Sequence, residues 1–366
     1  TLARPWLIPA VTALGIAAWF ALGTLHQHTS TPAHTSTLTV SMVQPNVDPW
    51  DKWSDTRAQV RVHKALVDSL RASGVQPDLV IWSETAIPFM IREPEFQPEE
   101  IDLRTWVDTS RIALLTGFAD RMIYPVGQAP ASARTSRFDP AVRFDVFNSA
   151  MVVGKSRGED VVHHKSMLTP FAERLPFADQ LTFAMSWIQW GVGISSWGKG
   201  QTRLPLPVVR RTLGASDTVT RIGTIICIES IYPEVARDMV NNGADMLCVI
   251  TNDAWYNGTW GPGQHFDIAR MRAIEQRRTV LRCAMSGVTG VILPDGSTLE
   301  AREPRSALAP LTQGVAVGRV ATSNVRTFYA SVGDVIPPVG LFLPILALIT
   351  ARIPAVVRKM RVRTDL

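Results

Sequence analysis

The chain has 366 residues, 46% of them hydrophobic, with a formal net charge of +5. The C-terminal stretch 358–366 carries +3 of that charge and Arg4 one more, which leaves about +1 for everything between and excludes a basic nucleic-acid footprint on the main domain. Three scattered cysteines, Cys227, Cys248 and Cys283, exclude a disulfide framework and supply too few close ligands for a structural zinc site. No cofactor is expected.

In chain order, WLIPAVTALGIAAWFALGTL (6–25) holds no charge over 20 residues, the length that spans a hydrocarbon core. Its rival reading is a cleaved signal peptide. HQHTSTPAHTST (26–37) reads as a polar linker whose histidines are solvated. From Leu38 the pattern becomes α/β. Strands are predicted at 38–44, 77–84, 111–120, 146–153, 220–230, 244–253, 280–287 and 289–298. Helices are predicted at 51–73, from near Pro233, and at 267–279. Short, buried, β-branched strands alternating with helices indicate a layered α/β domain.

VIPPVGLFLPILALITARIPAVV (335–357) is uncharged over 17 residues and contains prolines, a marginal span or a helix lying on the domain. Basic RKMRVR follows it. Positive charge outside both apolar segments predicts cytoplasmic termini and the whole α/β domain on the opposite face of the membrane. The resulting division is a transmembrane helix (1–25), a linker (26–37), a catalytic domain (38–330), and a C-terminal hydrophobic helix with a basic tail (331–366).

Catalytic groups in α/β sheets collect at the carboxyl ends of strands. Glu84 follows the strand in IWSETAIPF, Cys227 ends the strand in IICIES, and Lys165 opens the aromatic loop HHKSMLTPFAERLPF. A thiol nucleophile, a carboxylate to take its proton and an ammonium to hold an oxyanion complete the requirements of acyl transfer. Each residue also has a plain reading: Cys227 as a small buried hydrophobe, Glu84 as a cap, Lys165 as a solvated loop residue. Leu168, Phe171 and Phe177 suit either acyl chains or the core. Cys248 and Cys283 read as core thiols.

These stretches, with FNS (147–149), CIESIYPEVAR (227–237), TNDAWY (251–256) and GPGQHFDIARMRAIEQRRTVLRCAMSGVTGVILPDG (261–296), resemble the nitrilase-like, or carbon–nitrogen hydrolase, superfamily. Within it, the chain is most similar to the apolipoprotein N-acyltransferase family over roughly residues 38–320, continuing into SNVRTFYASVGD (323–334). The resemblance implies an αββα sandwich, here with flanking transmembrane helices. It implies Glu84 as general base, Lys165 as oxyanion stabiliser, Cys227 as acylated nucleophile, Glu173 as an additional active-site glutamate, and Glu229 as a glutamate near the acceptor site. It further implies a phospholipid acyl donor, a lipoprotein N-terminal diacylglyceryl-cysteine acceptor and a membrane setting. Departures are Ile228 where the family has tyrosine, PFAE where it has PFGE, and one N-terminal span where it has several. An amidase-like hydrolase and a conjugal-transfer or envelope component are the alternatives within this resemblance.

Overall fold

A computed structural model describes residues 6–29, 34–48, 55–154, 157–177, 179–180, 197–210, 219–256, 258–301, 303–335, 337–338 and 340–342. Two sheets face one another. The first contains β1 (His34–Gln44), β2 (Leu79–Trp82), β3 (Ala113–Ile123), β4 (Arg134–Thr135), β5 (Arg143–Val152), β6 (Val161–His164) and, at its far edge, the last strand of the chain (Gly314–Ser323). β1, β2 and β3 run parallel, and β5 turns back antiparallel against β3. The second sheet contains β7 (Leu206–Val209), β8 (Val219–Ile226), β9 (Met246–Thr251), β10 (Val280–Ala284), β11 (Thr289–Ile292) and β12 (Ala307–Leu308). Its centre, β8–β9–β10, is parallel. The strand Gly314–Ser323, β13, pairs antiparallel with β1 over nearly its whole length and so closes the first sheet with the end of the domain.

The sheets pack through apolar inner faces. Val40, Met42, Leu79, Ile81 and Leu115 meet Ile222, Met246, Ile250 and Leu281, all buried. Cys248 and Cys283 lie fully buried in this layer, as core thiols do. Outside the first sheet lie α2 (Thr56–Ala72), after the N-terminal α1 (Leu7–Thr29), and α3 (Gln97–Ser110). Val67, Leu103 and Val107 cover Val80, Trp82 and Leu114. Outside the second sheet, α4 (Pro233–Asn241) and α5 (Gly261–Gln276) bring Val235, Met239, Phe266 and Ala269 onto Ile225, Leu247 and Val249. A short α6 (Phe328–Val332) buries Ala330 against the same layer. Each layer is apolar on the face it buries, and the sum is the αββα sandwich.

Most elements fall where periodicity places them. The strand predicted over 220–230 stops at Ile226, and residues Cys227–Ile231 form a 3-10 turn instead. The helix predicted at 267–279 begins at Gly261, where Pro262 occupies the first turn without sacrificing a needed N–H.

The membrane reading is corrected. Residues 6–25 do enter a helix, α1, but among the described residues no helix is long and apolar enough to cross a membrane. Thr12, Gly15, Gly23 and Thr24 dilute its apolar surface, and the helix runs on into the polar residues His26–Thr29, part of the expected linker. From residue 343 onward, the expected second span and the basic tail lie outside the described residues. The transmembrane reading of 6–25 is withdrawn, and with it the membrane partner and the expected location, a bacterial inner membrane with the catalytic domain on the periplasmic side. The phospholipid and lipoprotein partners were implied by the resemblance to membrane relatives and are withdrawn with that setting.

Candidate active site

β2 ends at Trp82, and the chain then turns sharply through Ser83, Glu84 and Thr85. Thr85 takes a left-handed conformation, φ 47°. The turn leans on β3 at Gly117. A Cβ there would come within 2.5 Å of the Thr85 nitrogen and 2.8 Å of the Glu84 Cα, so only glycine lets the turn seat. Glu84 is buried and fully engaged. Its Oε1 accepts from Asn148 Nδ2 at 2.7 Å and Lys165 Nζ at 3.3 Å, and its Oε2 accepts from the Asn252 backbone N–H at 2.8 Å.

Lys165 follows β6 directly. Its backbone N–H extends the ladder to the Asn148 carbonyl at 2.9 Å, which fixes where the side chain emerges. The ammonium is 1% exposed and also donates to Glu173 Oε1 at 2.9 Å. Burial works against its charge. The neighbouring Glu84 and Glu173 carboxylates outweigh that effect and raise the Lys165 pKa above the ordinary lysine value. Glu173 is held in turn by the Thr169 N–H at 2.8 Å and by Asn148 Nδ2 at 3.3 Å.

Cys227 sits where β8 breaks into the 3-10 turn, with φ 52°. A left-handed non-glycine residue costs on the order of 1–3 kcal/mol and persists where the surroundings impose it. Here it forms a sharp strand-to-helix elbow that lifts the side chain out of the sheet, leaving the residue half-buried. The thiol is pushed up to about 12, by burial first and then by the Glu84 carboxylate. Lys165 and a hydrogen bond with Thr251 act in the opposite direction. At rest it is a protonated thiol that needs a base at the moment of attack.

Glu229 is fully buried beneath this elbow. It accepts from the Ile226 N–H (2.8 Å), Ser166 N–H (2.6 Å), Ser166 Oγ (2.7 Å) and Met167 N–H (3.2 Å), with His163 Nε2 at 3.5 Å. It therefore ties the turn after Cys227 to the loop after Lys165. Although burial opposes its charge, His163, the Ile226 N–H and Ser166 hold Glu229 down to about 2. A depressed carboxylate stabilises the fold fully above its unfolded value and loses that contribution as pH falls through the folded one. For a drop from the ordinary glutamate value of 4.5 to about 2, the contribution is on the order of 3 kcal/mol. Glu229→Gln is expected to lower the melting temperature at pH 7 and to flatten its decline between about pH 4.5 and 2, measured by thermal denaturation across pH.

Of the five residues singled out in the sequence, the structure gathers Glu84, Lys165 and Glu173 into one hydrogen-bonded cluster that acts electrostatically on Cys227. Glu229 lies behind the cluster. The exposed Phe171 and Phe177 are not core, and Leu168 is half-buried. Sequence reasoning gave no role to Asn148, Asn252, Asp253 or His265. All four sit in FNS, TNDAWY or GPGQHF, polar residues next to apolar strands or at a helix start, which is the signal that marks them.

Beside Cys227 opens a cavity of about 480 Å³, predominantly apolar, lined by Ile228, Ile231, Tyr256, Trp260 and Ile268 with His265. Trp260 is 88% exposed at its mouth. An apolar cavity of this size beside a nucleophile suits a group with a hydrocarbon portion.

A family model described as carbon-nitrogen hydrolase matches residues 39–326. The chain is 35% identical over 323 residues to an apolipoprotein N-acyltransferase of Chlorobaculum tepidum, covering 85% of this chain and 56% of that protein. It is 30% identical over 301 residues to the Azotobacter vinelandii protein of the same name, covering 82% and 52%. The chain thus spans about half the length of the curated relatives it matches. Among solved structures, a carbon-nitrogen hydrolase from Helicobacter pylori G27 aligns with a TM-score of 0.50 at 13% identity, over 77% of this chain and 88% of that one. An amidase from Nesterenkonia sp. aligns with a TM-score of 0.50 at 16% identity, over 84% and 97%. At these identities the two structures speak to the fold alone.

Proposed function

The chain belongs to the carbon-nitrogen hydrolase family, and from that membership we propose that it is an acyltransferase working through a thioester on Cys227, with an amine as the final acceptor. The observation that carries this reading is the buried Glu84–Lys165–Glu173 cluster set against a strained, half-buried cysteine.

In the first half, the Cys227 sulfur attacks the carbonyl carbon of an ester, and Glu84 accepts the thiol proton. The new oxyanion is held by the Lys165 ammonium and the Ile228 N–H, donors already in place before charge develops. When the C–O bond breaks, the alcohol leaves with the proton from Glu84, and a Cys227 thioester remains. In the second half, the amine attacks the thioester and gives a proton to Glu84. The C–S bond breaks, an amide leaves, and the thiol is restored. Asn148 and the Asn252 N–H hold the Glu84 carboxylate in one orientation through both halves. The acyl portion occupies the apolar cavity beside Cys227. Similarity to N-acyltransferases supports an amine rather than water as acceptor.

The test is mass spectrometry of the full chain after incubation with p-nitrophenyl esters of graded chain length. An acyl adduct on Cys227, absent in Cys227→Ala and discharged to an amide on adding a primary amine, is the expected result. An adduct that is lost to water at the same rate with or without the amine would replace the proposal with an amidase-like hydrolase. No adduct with any ester would end it.

A further inference from the structure

Behind the Cys227 elbow lies a second polar cluster that the acyl-transfer steps do not use. His265, on α5, is buried. Its Nδ1 lies 2.8 Å from Asp253 Oδ1, and its Nε2 lies 2.7 Å from Ser230 Oγ and 3.1 Å from the Cys227 carbonyl oxygen. Asp253 Oδ1 also accepts from Thr251 Oγ1 at 3.0 Å, and its Oδ2 accepts from Arg282 Nη2 at 2.7 Å. Ser230, Asp253 and Arg282 are wholly buried, so Ser230 is no nucleophile for an outside substrate.

The donor inventory constrains the ring. Paired with Arg282, Asp253 is a carboxylate and can only accept, so Nδ1 carries a hydrogen. In a neutral ring Nε2 is then an acceptor. It takes the Ser230 hydroxyl hydrogen and offers nothing to the Cys227 carbonyl, which is also an acceptor. In a doubly protonated ring Nε2–H can donate to that carbonyl. The carbonyl belongs to the residue held at φ 52°, so a hydrogen bond there bears directly on the elbow that aims the thiol.

We infer that His265 is a positioning residue for Cys227, its Nε2 bracing the nucleophile elbow at the Cys227 carbonyl and the Ser230 hydroxyl. The inference rests on Cys227 being the acylated nucleophile. The groups facing His265 are Asp253 and, behind it, Arg282 from the second sheet. Cys227, with Glu84 and Lys165 beyond it, faces it from the site, and Tyr256 also lines the cavity. Arg272, on the same helix, donates to the Ser230 and Ile231 carbonyls and pairs with Glu275.

The experiment follows Cys227 acylation by a p-nitrophenyl ester in the full chain at one fixed pH. In His265→Gln kcat is expected about 10-fold lower with KM within about 2-fold, and in Ser230→Ala about 3-fold lower with KM likewise unchanged. A wild-type kcat in His265→Gln overturns the inference, as does a loss confined to KM. Should His265→Gln fail to fold, Ser230→Ala decides alone, and a wild-type kcat there overturns the inference. Absence of any adduct in the wild type overturns the acyl-transfer reading itself. An adduct formed at the wild-type rate in both variants overturns the role of His265 only.

Discussion

Cys227→Ser is expected to reduce acyl transfer by at least about 10⁴-fold while moving the melting temperature by no more than about 2 °C. The substitution keeps a small polar atom at the elbow, so the backbone at φ 52° and its anchor through Glu229 are unchanged. What changes is the acid. Even with its thiol pushed up to about 12 by burial and Glu84, cysteine is far more readily ionised than a serine hydroxyl in the same place. A carboxylate such as Glu84 can help remove a thiol proton during attack but is a poor base for an alcohol. The measurement pairs ester turnover with thermal denaturation. Activity within about 100-fold of wild type would show that the sulfur is not the attacking atom.

Lys165→Met is expected to damage both chemistry and fold. Its ammonium is 1% exposed and lies between Glu84 Oε1 and Glu173 Oε1, at 3.3 and 2.9 Å. Methionine fills much of the volume and leaves the buried Glu84 and half-buried Glu173 carboxyl groups facing each other. Breaking a buried pair by removing one partner costs about 3–5 kcal/mol. Part of that cost is relieved when one carboxyl takes up a proton, because like charges at short range cannot both ionise. If Glu84 is the one protonated, the base is lost as well. Losing the oxyanion donor alone is worth about 10²–10³ in kcat. The combined result is a destabilised protein, recovered in part at mildly acidic pH, with turnover down by about 10³-fold or more. The double variant Lys165→Met, Glu173→Gln should regain stability without regaining activity. If it regains both, Lys165 serves only to neutralise Glu173.

The sequence made the sandwich legible because each buried strand is a short apolar run with a polar residue at its carboxyl end. Glu84 and Cys227 are such residues. Most of the elements missed have weak patterns, and the ten-residue β13 was missed as well. α3 begins with Pro98 and two glutamates and buries only part of one face, while β4, β6, β7 and β12 have two to four residues each. The partners of the site were harder to see. Asn148 meets Glu84 across 64 positions and Asn252 meets it across 168, and no local periodicity encodes such pairs. The role of Glu229 was hidden for the same reason, since its oxygens are occupied by Ser166 and Met167 from the other sheet. The membrane reading shows the opposite failure. An uncharged stretch was legible, yet among the described residues its helix is not long and apolar enough to cross a membrane.

Glu84, Asn148 and Lys165 hang from the first sheet, whereas Cys227 and the Asn252 N–H hang from the second. Under the acyl-transfer proposal, neither half of the sandwich holds a complete site. Reactivity is then a property of docking: a nascent or partly opened chain presents a cysteine with no base beside it, and a base with nothing to activate. On that reading the thiol is armed only in molecules whose two sheets have closed.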